Sequence, residues 1–275
     1  MNLSKYEYRD TRDLVRFVYD AARFAETDTN ALEYFRDNRA DYCSRDHYLY
    51  IYDLSGNNLF HAGMPELEGR NLRYLSDIDG KNIFDMIVDA LADTSNPHAW
   101  VHYSWWKPGS FFPVPKSSCH FSVCTPQGED LIVGGGLNYP HEEKEFIRII
   151  VDDAVALVEK EGESAIDSID NPVSVYNFRD VRVFAFRPDN SVVISPVVQD
   201  SFLQVNLMAA EDISGNRPFE LAVQQLENQD RAWQVFLSRN RYERQLVKKV
   251  IYLRKTVMSG ETLFIGAITD LPMPP

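Results

Sequence analysis

The residues best suited to bind a small molecule are concentrated in one stretch, from Ala99 to Lys116, which holds two adjacent tryptophans, a tyrosine and a terminal lysine. A small-molecule site needs an apolar concavity with a few convergent polar groups, and this stretch offers both. A lysine ammonium in a partly dry site forms a charge-assisted hydrogen bond with a carboxylate, worth about 1.5–3 kcal/mol. Lys116 is therefore the first candidate binding residue. The alternative is a surface lysine that ends a proline loop, because lysine is rarely buried without a partner.

The rings of this stretch alternate with the period of a β-strand. Tyr103 and Trp105 share one face and Trp106 lies on the other, so only one of the two tryptophans can face a site. We favour Trp105 with Tyr103 as a wall and a hydroxyl donor, and keep Trp106 as a weaker candidate. His120 is a further candidate, because it lies four residues after Lys116 on the same strand face. Plain core packing is the alternative for rings at strand spacing.

Hydrophobic periodicity predicts the elements that position this stretch. A long amphipathic helix is predicted from about Lys5 to Asp41, followed by a hairpin from Tyr48 to His61. A short helix follows the turn at Asp77–Gly80, and turns at Lys107–Gly109 and Pro126–Gly128 then separate three more strands. The first half of the chain is thus predicted to be a long helix followed by a five-stranded antiparallel sheet.

The same order of features returns in the second half, which indicates an internal repeat. A helix is predicted from about Pro140 to Gly162, a polar linker from Glu163 to Pro172, and a second hairpin from Val183 to Ile194. Ala232-Trp233 corresponds to Ala99-Trp100, and Lys248 is predicted to correspond to Lys116. The sequence therefore predicts an α+β protein with two tandem domains, residues 1–139 and 140–275, of which the second is degenerate.

Composition and motifs exclude several functional classes. The net charge of −13 repels phosphate backbones, so nucleic acid is not an expected partner despite the basic run from Arg239 to Lys249. Cys43, Cys119 and Cys124 are too few for a disulfide framework, and Cys119 with His120 and Cys124 does not make a zinc set. We find no catalytic motif, so no enzyme, metal or cofactor is expected. The glycines Gly134–Gly136 lack the spacing of a dinucleotide loop and are interpreted as close-packing strand residues.

The N-terminal sequence has frequent charges and no apolar run, so it is neither a signal peptide nor a membrane span. The chain is therefore expected to be cytoplasmic as the sequence stands, or extracytoplasmic if an anchor or signal was removed.

The first half resembles the Cache family of sensor domains, in its single-Cache type 2 form. The resemblance rests on the ordered combination of short motifs: Tyr50–Gly56, His61, Leu67–Leu72, Asp79-Gly80-Lys81, Val101–Pro108, Pro115-Lys116 and Val133–Gly136. It implies a PAS-like sheet flanked by helices, and it implies that Lys116 faces a pocket. It also implies that His61, at the end of the second strand, faces that pocket, although a structural histidine is an open alternative.

The resemblance further implies a non-catalytic sensor in signal transduction, whose first domain binds a small organic acid or amino acid. The alternative is an interaction module that binds no ligand, in which the two long helices pair between subunits as a homodimer or with a partner. The sequence does not identify the ligand or the signalling output.

Overall fold

The computed structural model describes residues 3–44, 47–92, 98–106, 112–138, 143–178, 181–196, 206–239 and 246–271. The chain divides into two compact units, Met1–Glu142 and Glu143–Pro275. The predicted domain boundary, between residues 139 and 140, lies outside the described residues. The same is true of the predicted turn at Lys107–Gly109 and of residues 240–245 in the basic run.

The first unit is an antiparallel sheet flanked by helices. Its helices are α1 (Arg9–Thr27), α2 (Ala31–Asp37) and α3 (Ile83–Leu91), with short 3-10 helices at Arg39–Tyr42 and Pro65–Leu67. Its strands are β1 (His47–Asp53), β2 (Asn58–His61), β3 (Ala99–Trp106), β4 (Pro113–Cys124) and β5 (Asp130–Asn138). They pair in the order β2-β1-β5-β4-β3, with every pair antiparallel.

Different helices cover the two faces of this sheet. Val18 of α1 lies over Gly135 of β5, whereas Phe84 of α3 packs against the ring of Tyr52 of β1 at a centroid distance of 5.8 Å. Because successive side chains along a strand point to opposite faces, the tyrosines at positions 48, 50 and 52 all lie on the α3 face. The candidate residues discussed below belong to this α3 face.

The predicted helix from Lys5 to Asp41 is wrong in its extent, because the helix breaks after Thr27. Asp28 has extended backbone angles (φ −112°, ψ 124°), and its carboxylate accepts a hydrogen bond from the Asn30 amide at 2.7 Å. Aspartate and asparagine favour such local bonds over continued helix, which explains the break. The chain resumes as α2, which buries Phe35.

The second unit contains another helix-flanked antiparallel sheet. Its helices are α4 (Glu143–Glu161), α5 (Ser164–Asp170) and α6 (Pro218–Gln225). Its strands are β6 (Asn177–Phe178), β7 (Val181–Phe186), β8 (Val192–Ile194), β9 (Arg231–Arg239), β10 (Leu246–Met258) and β11 (Glu261–Leu271). The order is β6-β7-β11-β10-β9, and β8 also pairs with β7.

The predicted fold class is confirmed: both units are α+β, with antiparallel sheets flanked by helices. The order β8-β7-β11-β10-β9 matches the strand order of the first unit, and the two-residue β6 is an addition to it. That the chain arose as a tandem repeat stays a prediction. No helix in the described part of the chain is long and apolar enough to cross a membrane.

The predicted linker from Glu163 to Pro172 is also wrong, because it contains α5. Ala165 and Ile169 lie one helical turn apart and are both buried in the core of the second unit. The hydroxyl of Ser164 donates to the carbonyl of Glu161 at 2.9 Å. Two apolar residues in a polar segment give too weak a periodicity to predict a helix.

Candidate functional site

Antiparallel pairing brings residues that are far apart in sequence onto the α3 face of the first sheet. Tyr50 of β1 pairs with His61 of β2, and Lys116 of β4 pairs with Tyr103 of β3. Directly paired residues project to the same face with Cβ atoms about 4.5–5.5 Å apart. His120 follows four residues after Lys116 on the same strand. The structure therefore brings four of the predicted site residues into one group.

Lys116 is the central charge of this group, and its side chain is only 1% exposed. Its Nζ lies 3.8 Å from the ring centroid of Tyr48, 4.8 Å from that of Tyr50 and 6.0 Å from that of Tyr103. Within the described residues no acidic side chain forms an ion pair with it, and burial alone lowers the pKa of Lys116 well below its usual range. Aromatic faces are thus the only described groups that stabilise the ammonium form.

A hydrogen-bonded chain of two hydroxyls and an imidazole runs beside Lys116. The hydroxyls of Tyr103 and Tyr50 lie 3.3 Å apart, and Tyr50 Oη lies 2.8 Å from His120 Nε2. Burial raises the pKa of both tyrosines, whereas burial and then the charge of Lys116 lower the pKa of His120 to about 3. The three groups are therefore neutral at physiological pH, and none of them supplies a negative charge to Lys116.

His61 is held in a defined tautomer at the edge of the group. The Met64 amide donates to His61 Nδ1 at 2.9 Å, so the proton of the neutral imidazole lies on Nε2. The ring stacks on that of Tyr50 at a centroid distance of 5.7 Å. Burial, followed by the charges of Lys116 and Arg39, lowers the pKa of His61 to about 3. His61 is thus a neutral hydrogen-bond donor near the buried cation.

The three glycines of β5, Gly134–Gly136, make room for this arrangement. A Cβ on the first would lie 2.5 Å from the ring of Tyr50, and a Cβ on the third would lie 2.5 Å from Cε of Lys116. A Cβ on the middle glycine, which faces α1, would lie 2.7 Å from Cγ2 of Val18. Their interpretation as close-packing strand residues is confirmed.

The two adjacent tryptophans of β3, Trp105 and Trp106, project to opposite faces of the sheet, as their alternation predicts. Trp105 is 6% exposed, and its ring centroid lies 6.2 Å from that of Tyr103, on the face that carries Lys116. Trp106 is 37% exposed and points away from that face. Trp105 is thus the fifth predicted site residue on this face, and Trp106 is the one that the structure leaves outside the group.

Sequence reasoning missed three residues of this group: Tyr48, Tyr50 and Asn138. The alternation of tyrosines with Leu49 and Ile51 in β1 was a usable signal, because it places every tyrosine of the strand on one face. Asn138 gave no such signal, since only the pairing of β4 with β5 places it directly opposite Lys116.

The predicted counterpart of Lys116 in the second unit is wrong by one residue. Tyr103 and Phe236 each lie four residues after the start of an Ala-Trp pair, and the residues paired with them are Lys116 and Lys249. Lys248 is exposed, because a slip of one residue moves a strand side chain to the opposite face.

The surroundings of Lys249 differ from those of Lys116. Its Nζ forms an ion pair with Asp270 at 2.6 Å, so its charge is compensated. The face around it is apolar and buried, with aromatic and aliphatic side chains in place of the hydroxyls and imidazole of the first unit: Phe184, Phe236 and Leu253. The candidate site is therefore a feature of the first unit.

The arrangement around Lys116 is suited to binding rather than to covalent chemistry. Its groups are a buried cation, two hydroxyls and an imidazole N–H, which together can hold a small anion. In the described ranges, no three His, Cys, Asp or Glu side chains come together in a way that would hold a metal ion.

Comparison with known proteins gives a family and several relatives. A family model described as Cache domain matches residues 21–256. The methyl-accepting chemotaxis protein McpP of Pseudomonas putida is 32% identical over 123 residues, which are 44% of this chain and 21% of that protein. The chain thus spans about one fifth of the length of this curated relative.

Two solved structures are also similar. A periplasmic sensor domain of a chemotaxis protein is 27% identical, with 46% of this chain and 88% of that chain covered and a TM-score of 0.37. A Cache chemosensory domain that recognises carboxylic acids is 23% identical, with 47% and 93% covered and a TM-score of 0.38.

Proposed function

Since the chain belongs to the Cache domain family, we propose that it is a ligand sensor in signal transduction whose first unit binds a small carboxylate, free or as part of an amino acid. The ligand's carboxylate would accept hydrogen bonds from Lys116 and its neighbours. The second unit, with an apolar face and a paired lysine, serves as scaffold or partner surface. The proposal is that of a binding protein rather than an enzyme.

The observation that carries this proposal is the uncompensated Lys116. Moving an ammonium out of water costs several kcal/mol, and a buried charge is normally paired. Lys116 is 1% exposed, and the described residues offer it aromatic faces but no carboxylate. A carboxylate ligand supplies the missing charge, through a hydrogen bond worth about 1.5–3 kcal/mol.

The size of the ligand limits its affinity. The best small ligands reach about 1.5 kcal/mol per non-hydrogen atom, so a four-atom acid such as acetate reaches about 6 kcal/mol. This corresponds to a dissociation constant no tighter than tens of micromolar, a range suited to reporting metabolite levels.

Calorimetry of the full chain tests the proposal. We expect at least one acid from a panel of acetate, propionate, lactate, pyruvate and alanine to release or absorb heat with one-site stoichiometry. Lys116→Met keeps the length of the side chain but removes its charge, and it should weaken binding about tenfold or more, because a charged hydrogen bond is lost. Lys249→Met removes the corresponding lysine of the second unit and is the matched control.

Two results would contradict the proposal. One is the absence of binding by every acid to protein that circular dichroism shows to be folded, which would favour the alternative of an interaction module that pairs through its helices. The other is equal weakening by Lys116→Met and Lys249→Met, which would place the effect in global stability. Homodimerisation and cellular location stay predictions, and light scattering of the same samples measures the first.

A further inference from the structure

Several fully buried polar atoms on the Lys116 face have no hydrogen-bond partner among the described residues. They are the Tyr48 hydroxyl, Trp105 Nε1 and both amide atoms of Asn138. Burial raises the pKa of the Tyr48 hydroxyl, and the nearby indole of Trp105 lowers it by a smaller amount. The geometry of this contact is nevertheless outside that of a normal hydrogen bond. Buried polar groups are almost always hydrogen-bonded, so this concentration indicates atoms that a ligand satisfies.

Asn138 is the most informative of these residues. It is 4% exposed and lies directly opposite Lys116 in the pairing of β4 with β5, so its side chain projects to the same face. Its amide has one acceptor oxygen and one donor nitrogen, and neither has a partner in the part of the chain that the structure describes. Exchanging the amide oxygen and nitrogen leaves this result unchanged.

The unpartnered acceptor restricts the chemistry of the ligand. A carboxylate only accepts hydrogen bonds, so it can satisfy Lys116, the indole N–H of Trp105 and the amide nitrogen of Asn138. It cannot satisfy the carbonyl oxygen of Asn138, which needs a donor. A ligand that completes the site directly, without a bridging water, therefore carries a hydroxyl or an ammonium group as well as its carboxylate.

The charges around the site favour the hydroxyl. An ammonium beside Asn138 would lie next to Lys116, and like charges in a dry site repel each other. Of the described carboxylates, the one that acts on this group is Asp77, through Tyr103. Asp77 already accepts hydrogen bonds from three backbone amides, those of Asp79, Lys81 and Ser104.

We propose that the ligand is a small hydroxycarboxylate, with its carboxylate on Lys116 and its hydroxyl on Asn138. This inference rests on the proposed function and makes Asn138 the residue that determines specificity. Propionate, lactate and alanine test it, because they differ only in the group on the second carbon: hydrogen, hydroxyl or ammonium. Calorimetry of the full chain should show lactate binding at least about tenfold more tightly than propionate and alanine. Propionate leaves the carbonyl oxygen of Asn138 unsatisfied, and alanine adds an ammonium group that Lys116 repels.

Asn138→Leu tests the assignment of the residue. It should reduce the preference for lactate over propionate to within about threefold while propionate still binds at Lys116, because the contact with the lactate hydroxyl, which propionate cannot make, is removed. Asn58→Leu is the matched control: Asn58 is also a buried asparagine, but it lies on β2 opposite Tyr52, with which its amide interacts, rather than opposite Lys116. Circular dichroism of both variants checks that they are folded.

The outcomes separate the two proposals. If no acid of the full panel binds to the folded protein, acetate and pyruvate included, the proposed function fails. If acids bind but propionate equals lactate, if alanine binds more tightly than lactate, or if Asn138→Leu keeps the preference, the inference is overturned while the carboxylate site stands.

Discussion

Acidification should destabilise the first unit, and His120 allows the effect to be calculated. Its pKa is about 3 in the folded chain against 6.5 for an unperturbed histidine, so folding favours the neutral form. The stabilisation is fully present above about pH 6.5 and is lost as the pH falls toward 3. From pH 7 to pH 5 the unfolded chain takes up most of a proton at this residue while the folded chain takes up almost none, a loss of about 2 kcal/mol.

His120→Gln isolates this contribution, because glutamine does not titrate. At pH 7 the variant should be less stable by about 1–3 kcal/mol, since the bond to the Tyr50 hydroxyl is lost. Its free energy of unfolding should then fall about 2 kcal/mol less than that of the wild type between pH 7 and pH 5. The two stabilities should therefore converge near pH 5.

Urea unfolding followed by tryptophan fluorescence measures both quantities. Three of the four tryptophans, Trp100, Trp105 and Trp106, lie in the first unit, so the signal reports mainly on it. The difference in unfolding free energy between wild type and variant cancels the contributions of the other titrating groups. These include His61 and His102, whose pKa values burial also lowers to about 3. An identical pH dependence in the two proteins would refute the assignment of His120 as a buried neutral imidazole.

Two further predictions follow from the same geometry. Gly135→Ala should lower the free energy of unfolding by about 1–3 kcal/mol, because its Cβ would lie 2.7 Å from Val18 and 3.3 Å from the Tyr48 carbonyl; urea unfolding measures this, and an unchanged midpoint would contradict the packing of α1 on β5. Carboxylate binding at about pH 9 should take up between zero and one proton, because the anion raises the lowered pKa of Lys116; calorimetry in two buffers of different ionisation enthalpy measures the uptake, which Lys116→Met should abolish.

Much of the fold could be predicted because its signals are local. The alternation of side chains between the two faces of a strand identifies the strands around Tyr50 and Tyr103. The return of the same order of features in the second half indicates that two helix-flanked sheets follow one another. The helix break at Asp28 was missed because apolar residues on both sides of it continue the helical spacing. The short helix around Ile169 was missed for the opposite reason, since too few apolar residues mark it.

The site could be predicted only in part, because it depends on the register between strands. Lys116 and Tyr103 lie on adjacent strands of one hairpin, so the sequence places them together. Asn138 joins them only through the pairing of β4 with β5, which no local pattern specifies. The same limit explains why Lys248 was predicted where Lys249 lies, since an error of one residue in aligning two strands is invisible to composition.

The glycines of β5 also have a mechanical consequence. For three residues the strand has no side chains, so backbone alone separates Val18 of α1 from the aliphatic chain of Lys116 on the other face. Close-packed contacts transmit displacement, because they leave no free volume to absorb it. A ligand that shifts Lys116 would therefore press on the β5 backbone against which α1 packs on the other face.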